Sequence, residues 1–270
     1  MSYSVKEIIK QRRSVRTFDE RPLSEEDMNA LREYISATDT PFSVPVTFGL
    51  LGAKEYGLSS PVIVGANTYL AAKAERLPNH EFALGYAFEK ACIYAWSKGI
   101  GTVMLAASLN RAAFERAMDV GEGEVMPVAS PVGYPAKRMS VRESVMRKGL
   151  KADRRLPFDK LFFDGSFERG LKEENAGVFA PALEAVRWAP SAGNRQPWRV
   201  VTDGERAHFY KAGSLPKSAL GDIQKVDIGI ALMHFEAALS EDGISGRFEF
   251  SDAAPAAPEG VSYTVTFVRE

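Results

Sequence analysis

The stretch APSAGNRQPWR at residues 189–199 decides how the rest of the chain is interpreted. Pro190 has no backbone N–H and disfavours the helical conformation of the residue before it, so a helix cannot continue through this stretch. Before it, GVFAPALEAVRWA (177–189) carries apolar residues at helical spacing, and after it PWRVV (197–201) is typical of a strand. The stretch is therefore a loop between a helix and a strand, and its composition requires either a structural or a ligand-binding reason.

Composition and charge exclude several classes of protein. The chain has 270 residues, of which 45% are hydrophobic and 26% charged, enough for one large domain or two small ones. Its 34 basic and 35 acidic residues give a net charge of −1, which does not favour nucleic-acid binding. No apolar run approaches the ~20 residues of a membrane span, and the first residues lack the apolar core of a signal peptide. With one cysteine and three scattered histidines, we expect a cytoplasmic protein without a disulfide or a metal site.

The apolar pattern predicts two successive sets of helices and strands. Ser24 is a typical helix cap, with Asp27 at the third helical position and Met28, Leu31 and Ile35 facing inward. The first half then continues with predicted strands at 46–51 and 61–66, a helix at 80–98, a strand at 102–107, a helix at 110–118 and a strand at 125–133. The second half has a predicted helix at 177–188, strands at 198–202 and 207–211, a helix at 222–240 and strands at 246–250 and 262–268.

The second set resembles a repeat of the first. FALGYAFEKACIYAWSKGIG (82–101) aligns with VDIGIALMHFEAALSEDGIS (226–245), and the alignment matches Gly85 with Gly229 and Gly99 with Gly243. Glycines are common at the ends of helices, so this pattern alone is modest support for a duplication. We interpret the chain as internally duplicated.

A basic arm connects the two halves. We divide the chain into a first half (1–134), a connecting arm (135–170) and a second half (171–270) that form one interlocked unit. Residues 137–155 hold eight basic and two acidic side chains. Most of these charges are expected to be solvated, with one or two arginines facing an anion. Three phenylalanines further along indicate that the arm packs on the protein: Phe158, Phe162 and Phe163.

A second motif near the N-terminus changes the interpretation of the loop. QRRSVRTF (11–18) places three arginines and a serine within five residues, and a guanidinium group suits phosphate because it donates two parallel hydrogen bonds. Alone, such a cluster is more often a solvated helix end. Together with APSAGNRQPWR, GIGTVMLA (99–106) and VGYP (132–135), it resembles the nitroreductase-like flavoprotein family.

The resemblance covers nearly the whole chain and implies a fold. That family has an α+β sandwich of mixed and antiparallel sheets with helices, built as a homodimer that holds FMN between subunits, one giving RRSxR and the other PSxxNxQPW. Here each motif occurs once: PFSVPV (41–46) has Phe42 where the second half has Asn194, and FERGLKEENAG (167–177) has no RRSxR. The chain is thus similar to the single-chain, internally duplicated branch, whose two pseudo-symmetric halves mimic the dimer.

The resemblance also implies which residues of the N-terminal motif bind FMN. Arg12 and Ser14 would bind the phosphate, and Arg13 would support the phosphate or the ribityl chain. Arg16 would lie near N1 and O2 of the flavin, where a positive charge stabilises the reduced anion.

The other predicted cofactor-binding residues come from the two loops and the arm. Those of the loops are Ala106, Ala107, Pro190, Ser191, Asn194 and Gln196. Gln196 fits a role in bracing the loop better than direct contact, and Trp198 fits the core. From the arm, Lys137, Arg138 or Arg142 would add a phosphate contact, and of these we choose Arg142.

These residues lead to an expected function. We expect an FMN-dependent oxidoreductase that passes hydride from NADH or NADPH through flavin N5 to a nitroaromatic, quinone or similar acceptor. No residue stands out as an acid, so protons are expected from solvent. Two alternatives stay open: a non-catalytic flavin-binding or flavin-sensing protein, and a relative with dehalogenase-type or flavin-degrading chemistry. We expect a monomer with no obligate protein partner and no nucleic-acid or membrane partner.

Overall fold

The computed structural model describes residues 4–213, 215–251 and 253–270. The α-helices in these ranges are α1 (Val5–Gln11), α2 (Glu25–Ser36), α3 (Ala53–Tyr56), α4 (His80–Ser97), α5 (Arg111–Ala117), α6 (Val141–Gly149), α7 (Phe158–Leu161), α8 (Ala180–Trp188) and α9 (Ile223–Glu241). The strands are β1 (Thr47–Gly52), β2 (Thr68–Glu75), β3 (Gly101–Thr102), β4 (Glu124–Val125), β5 (Ala129–Gly133), β6 (Phe162–Asp164), β7 (Trp198–Thr202), β8 (Arg206–Ala212), β9 (Gly246–Glu249) and β10 (Val261–Arg269). Across the described ranges, every helix is too short or too polar to cross a bilayer.

The strands form two sheets with the same internal order. The first sheet runs β1-β2-β5-β3, with β4 paired to β2, and all its pairs are antiparallel. The second runs β6-β7-β8-β10-β9, and its one parallel pair joins β6 to β7. When β4 and β6 are left out, each sheet has four strands. Numbered in chain order within each half, they lie in the order 1-2-4-3 across the sheet. In both halves a long helix, α4 or α9, follows the second strand along the chain. The fold is α+β, and the two halves share one arrangement.

The helices α4 and α9 touch backbone to backbone at two glycines. A Cβ on Gly85 would lie 2.0 Å from the carbonyl oxygen of Val226, and a Cβ on Gly229 would lie 2.2 Å from that of Phe82. The contacts are reciprocal, because each carbonyl belongs to the residue three positions before the glycine of its own helix. Only glycine permits this approach at both positions. The two glycines that the sequence alignment matched, Gly85 and Gly229, therefore lie together at the point where α4 crosses α9.

Most predicted helices are confirmed, and their caps explain where they begin. The hydroxyl oxygen of Ser24 accepts a hydrogen bond from the N–H of Asp27 at 3.1 Å, which satisfies a donor at the start of α2. Leu31 and Ile35 of α2 are buried in the core. The other long helices predicted from the sequence correspond to α4, α8 and α9.

The predicted strand at 61–66 is wrong. These residues form a loop, in which the N–H of Val64 donates to the carbonyl oxygen of Arg16 at 2.9 Å. The strand is instead β2, whose sequence TYLAAKAE is poor in β-branched residues. It occupies the middle of the first sheet, where Ala71 and Ala72 are fully buried, so its position in the fold outweighs its weak strand propensity.

Two other segments differ from the sequence-based expectation. Of the predicted strand at 102–107, only the first residue lies in β3. Leu105 forms one isolated antiparallel bridge with Ala129, and the other residues form a loop. The connecting arm contains helix α6 and, nearer its end, strand β6. This strand pairs with β7 and extends the second sheet. Phe162 of β6 is fully buried, as expected for an arm that packs on the protein.

Candidate active site

A cavity of about 480 Å³ lies where the two halves and the arm meet. Its volume falls in the range of about 300–1,000 Å³ that is usual for small-molecule sites. Four segments outside the long helices line it: the end of α1 with the segment that follows, the loop after β3, the arm, and the loop after α8. The sequence-predicted residues that line it are Arg12, Arg13, Ser14, Arg16, Ala106, Ala107, Pro190, Ser191 and Asn194. The RRSVR and PSAGN motifs therefore meet at one cavity, as their pairing predicts.

The RRSVR segment is extended, and backbone hydrogen bonds fix it in place. The N–H of Val15 donates to the carbonyl oxygen of Thr102 at 2.9 Å, which ties the segment to β3. Val15 is fully buried. Because side chains alternate along an extended chain, this places Arg12, Ser14 and Arg16 on the opposite side, along the cavity wall.

Among the described residues, Arg16 is a cavity cation that forms no ion pair with a carboxylate. Its Nε is buried without a hydrogen-bond partner, and among the described residues no carboxylate forms an ion pair with it. Burial lowers the pKa of Arg16, although the nearby Glu143 carboxylate opposes that shift. A buried guanidinium without a partner is costly. The position therefore suits an anion or electron-rich ring atoms placed in the cavity.

Arg12 is held by a buried ionic network instead. Its Nη2 lies 3.1 Å from Oε1 of Glu89, and Nε2 of His234 lies 3.0 Å from the same oxygen. The Nδ1 of His234 faces the carbonyl oxygen of Ala185 at 2.9 Å. Both ring nitrogens of His234 thus face oxygen atoms, and Oε1 of Glu89 lies between Arg12 and His234. The network joins α4, α9 and the RRSVR segment behind the cavity.

The loop after α8 supports the cavity through its backbone and its polar side chains. Gly193, Asn194 and Gln196 have φ values of 60°, 54° and 50°, a left-handed conformation that is unusual for residues with side chains. The N–H of Gln196 donates to Oγ of Ser191 at 2.9 Å, which closes the loop. Asn194 uses its Nδ2 group to bond the carbonyl oxygens of Lys151 and Arg154 at 2.8 and 3.0 Å. Asn194 thus anchors the arm over the cavity that it lines.

Gln196 lies behind the cavity and not on its wall. It is 4% exposed, and its Oε1 accepts from the N–H of Leu156 at 2.8 Å. This is the bracing role that the sequence also favoured. Trp198 is fully buried in the core, as expected.

Arg142, the residue predicted from the arm, lies away from the cavity. It is exposed, its Nη1 donates to the carbonyl oxygen of Pro61, and it does not line the cavity. Lys137 and Arg138 are exposed and also lie off the wall. The arm instead contributes Arg147 and Arg155 to the cavity. Arg142 lies near the start of α6 on its exposed side. Arg147 lies more than one turn further along the same helix, and Arg155 lies after the helix ends.

The two arginines from the arm differ in their surroundings. Arg147 pairs with Asp153 at 2.5 Å. Arg155 stacks over the ring of Trp188, with its Cζ 4.9 Å from the ring centroid, and donates to backbone carbonyls. Its Nε is buried without a partner, and burial lowers its pKa. With Arg155, the cavity has a second guanidinium that faces it without a paired carboxylate.

Asp227 is a cavity residue that the sequence analysis missed. It lies on α9 and is 3% exposed, and its Oδ1 accepts from the N–H of Ala192 at 3.0 Å. Its Oδ2 is buried without a partner. Burial, with a smaller contribution from Asp222, raises the pKa of Asp227 to about 8. An aspartate within the otherwise apolar run VDIGIALM (226–233) was the signal available in the sequence.

The cavity carries an excess of positive charge and has no metal-binding cluster. Its wall has five arginines, and its acidic residues are Glu89, Asp153 and Asp227. Within the described ranges, no group of three or more His, Cys, Asp or Glu side chains is arranged to hold a metal ion. Chemically, the wall suits a ligand with an anionic group, polar atoms near Arg16 and a flat part against small residues such as Ala106 and Ala107.

Comparison with known proteins identifies the family. The profile of the family described as "Putative TM nitroreductase" matches residues 4–239. The chain belongs to this nitroreductase family. Among curated proteins, none matches it significantly.

One solved structure has the same fold over nearly the whole chain, and others are similar to about half of it. A structure from Thermotoga maritima, described as a putative nitroreductase, is 20% identical, with a TM-score of 0.65, and the match covers 99% of this chain and 94% of that one. A protein from Bacteroides thetaiotaomicron, described as a putative NADH dehydrogenase/NAD(P)H nitroreductase, is 19% identical over 52% of this chain and 91% of its own, with a TM-score of 0.42. An FMN-dependent nitroreductase from Clostridium difficile is 12% identical over 52% of this chain and 94% of its own, with a TM-score of 0.40.

Proposed function

We propose that this nitroreductase binds FMN in the 480 Å³ cavity and transfers hydride from NADH or NADPH to a nitroaromatic, quinone or similar acceptor. The observation that carries the proposal is Arg16, a half-buried guanidinium whose Nε has no hydrogen-bond partner among the described residues, at the point where the RRSVR segment and the PSAGN loop meet. Bound FMN supplies the hydride-transfer chemistry, and the protein supplies position and charge.

The residues of the wall divide into two groups by charge and position. Ser14, Arg13 and the arm residues Arg147 and Arg155 offer hydroxyl and guanidinium donors for the phosphate. Arg16 offers positive charge to the electron-rich edge of the ring system, where reduction adds negative charge. Ala106 and Ala107 leave the backbone accessible, because a methyl group is the whole of each side chain.

The arm limits the exchange of water with the site. Arg155 is fixed on Trp188, and the turn at 151–154 is bonded to Asn194, so the arm is held against the PSAGN loop. Exclusion of water strengthens every charge interaction inside the cavity.

We also propose that the two halves stand in for the two subunits of a dimer. The common strand order and the reciprocal Gly85 and Gly229 contacts support a duplication. The first half supplies the RRSVR segment, and the second half supplies the PSAGN loop and α9. One chain then assembles a site that other members of such a fold would build from two copies.

Titration of the apoprotein with FMN, followed by anaerobic addition of NADH or NADPH, tests the proposal. We expect bound FMN to lose its fluorescence on binding and the oxidised flavin absorbance to disappear with one of the two nucleotides. Absence of FMN binding would refute the cofactor assignment. Bound flavin that stays oxidised with both nucleotides would instead favour a flavin-binding protein without this activity.

A further inference from the structure

Helix α6 of the connecting arm turns two valines into solvent. Val141 is 82% exposed and Val145 is 64% exposed. Residues four apart are neighbours on one side of a helix, so these valines share an outer face with Lys148, and the buried Glu143 lies on the opposite side. Two further exposed apolar residues lie just before the helix and just after it: Met139 and Leu150. Exposed apolar residues that cluster in this way indicate an interaction surface.

The same helix is surrounded in the sequence by uncompensated positive charge. Residues 137–155 hold eight basic and two acidic side chains, although the net charge of the whole chain is −1. Both acidic groups are paired: Glu143 lies 3.1 Å from Arg13. Asp153 pairs with Arg147. Six basic residues are exposed, and among the described residues none of them forms an ion pair: Lys137, Arg138, Arg142, Lys148, Lys151 and Arg154.

The inner face of α6 holds the helix on the protein. Glu143 is buried, and its Oε1 accepts from Nη1 of Arg13 at 3.1 Å. At the start of the helix, Oγ of Ser140 accepts from the N–H of Glu143 at 3.1 Å and from Oγ1 of Thr17 at 3.0 Å. The outer face is therefore presented by a helix that is already ordered, so a partner does not have to pay for folding it.

We propose that the outer face of α6 docks the protein on the surface of a membrane that contains anionic phospholipid. A cluster of four to eight basic residues on a helix suits anionic headgroups, and apolar side chains on that helix enter the boundary between headgroups and acyl chains. A helix that lies on the surface requires no spanning segment. The proposal replaces the sequence-based expectation of no membrane partner.

The composition of the arm favours lipid over an acidic protein as the partner. The cores of protein interfaces are enriched in aromatic residues and depleted of lysine. Residues 137–155 contain no aromatic residue, and three of the six exposed basic residues are lysines. Headgroup attraction depends on the number of positive charges near the surface and needs no matching groove.

Docking through α6 brings the cavity close to the lipid. Leu150, at the end of the helix, is exposed and also lines the cavity. A quinone dissolved in the membrane is then the class of acceptor that this arrangement favours, and this one step rests on the proposed function. The docking itself needs neither FMN nor turnover, because Arg138, Lys148 and the two valines lie off the cavity wall.

Flotation of the full chain with lipid vesicles tests the docking. We expect the wild type to bind vesicles of phosphatidylcholine with about 30% phosphatidylglycerol at least about tenfold more tightly than vesicles of phosphatidylcholine alone. Binding should weaken as the salt concentration rises from about 0.05 to about 0.5 M, because salt screens the attraction between the exposed basic residues and the headgroups.

Two double variants and a control locate the surface. Arg138→Gln with Lys148→Gln should weaken binding to the anionic vesicles about 25-fold, about fivefold for each charge. Val141→Ser with Val145→Ser should weaken it about tenfold without removing its salt dependence. Arg206→Gln is the control and should bind like the wild type. Arg206 is an exposed arginine at the end of the β7–β8 pair away from the PSAGN loop, and among the described residues it forms no ion pair.

The outcomes separate this surface from the proposed function. Equal binding to neutral and anionic vesicles, or wild-type binding by the Arg138 and Lys148 double variant, would overturn the docking surface. Absence of vesicle binding together with binding to polyglutamate that the same variant loses would overturn lipid in favour of an acidic protein. Flotation is measured both with and without FMN, so failure to bind FMN would refute the proposed function and leave the docking result standing.

Discussion

Arg12 and Arg16 lie four residues apart on one extended segment and face the same cavity, yet the protein holds them differently. Arg12 is nearly fully buried against Glu89, whereas Arg16 has no such carboxylate. Removal of Arg12 would therefore leave the buried Glu89 without its arginine partner, and this would affect folding as well as binding. Removal of Arg16 changes the ligand site with less effect on the ion pairs of the core. Arg16 is the cleaner position at which to test cofactor binding.

Arg16→Ala should weaken FMN binding by about 10- to 100-fold, since a hydrogen bond to a charged group contributes about 1.5–3 kcal/mol. Flavin fluorescence titration of the apoprotein measures the affinity. Arg142→Ala provides the control, because Arg142 is an exposed arginine outside the cavity wall. Equal affinities for the two variants would show that Arg16 does not contact the cofactor.

Glu89→Gln should lower the free energy of unfolding by about 3–5 kcal/mol, because it removes the carboxylate that pairs with the buried Arg12. Burial opposes ionisation of Glu89, but Arg12 and His234 outweigh it and lower its pKa. The stability from this group is thus present above the usual carboxyl pKa and is lost as pH falls through the lowered value. Denaturant unfolding at neutral and acidic pH measures both effects. The exposed Glu174→Gln is the control, and an equal response of the two variants would contradict the network.

At the scale of the element, the crossing of α4 and α9 sets the spacing of the two halves. Gly85→Ala would place a methyl group 2.0 Å from the carbonyl oxygen of Val226, which a backbone cannot avoid without separating the helices. We expect a loss of about 2 kcal/mol or more in the free energy of unfolding, despite the higher helix propensity of alanine. Thermal and denaturant unfolding measure the loss.

The control for this substitution is Gly149→Ala at the end of α6. A Cβ there meets no atom within 4 Å, so alanine should be neutral or stabilise the protein by up to about 1 kcal/mol. If Gly85→Ala is tolerated as well as Gly149→Ala, the helices are not in backbone contact, and the spacing of the halves has another cause.

The elements also show what sequence patterns could and could not predict. Long helices such as α4 and α9 were predictable because their apolar content extends over many turns and glycines end them. The segment 61–66 looked like a strand because its residues are β-branched, yet those residues are used to hold the RRSVR segment through Val64. Strand β2 was missed because alanines carry little strand signal, although burial between β1 and β5 fixes them there.

The residues of the site also fall into those that the sequence pattern could predict and those that it could not. RRSVR and PSAGN were recognisable because a loop that approaches a ligand has an unusual local composition. Arg147 and Arg155 were not recognisable, since in a run with eight basic side chains the sequence does not show which of them face inward. Glu89 and Asp227 lie on helices that are buried all round, where the facing helix, and not the local pattern, decides the partner of each charge.

At the scale of the whole molecule, the two halves have the same strand order, so a second cofactor cavity could exist at the equivalent place in the first half. The residues of α9 that line the cavity are Ile223, Asp227 and Ile230, and the glycine alignment places Asn79, Ala83 and Tyr86 at the matching positions around α4. In the first half, Phe42 occupies the place that Asn194 has in the second. Phe42 is 7% exposed, and its ring centroid lies 5.9 Å from that of Phe82. Phe42, which aligns with Asn194, is therefore packed among aromatic side chains.

This packing leads to a prediction of stoichiometry: one FMN per chain, bound by a monomer. The ring of Phe42 lies 6.5 Å from Tyr86 on α4 and 6.2 Å from Phe248 on β9, so aromatic side chains from both halves meet where a second flavin would need space. No RRSxR sequence occurs at 167–177 to bind a second phosphate. Flavin released by denaturation and compared with protein mass, together with light scattering of the loaded protein, measures the ratio and the oligomeric state. Two FMN per chain, or a dimer that loses flavin on dilution, would contradict a duplication in which one of two sites has been closed by aromatic packing.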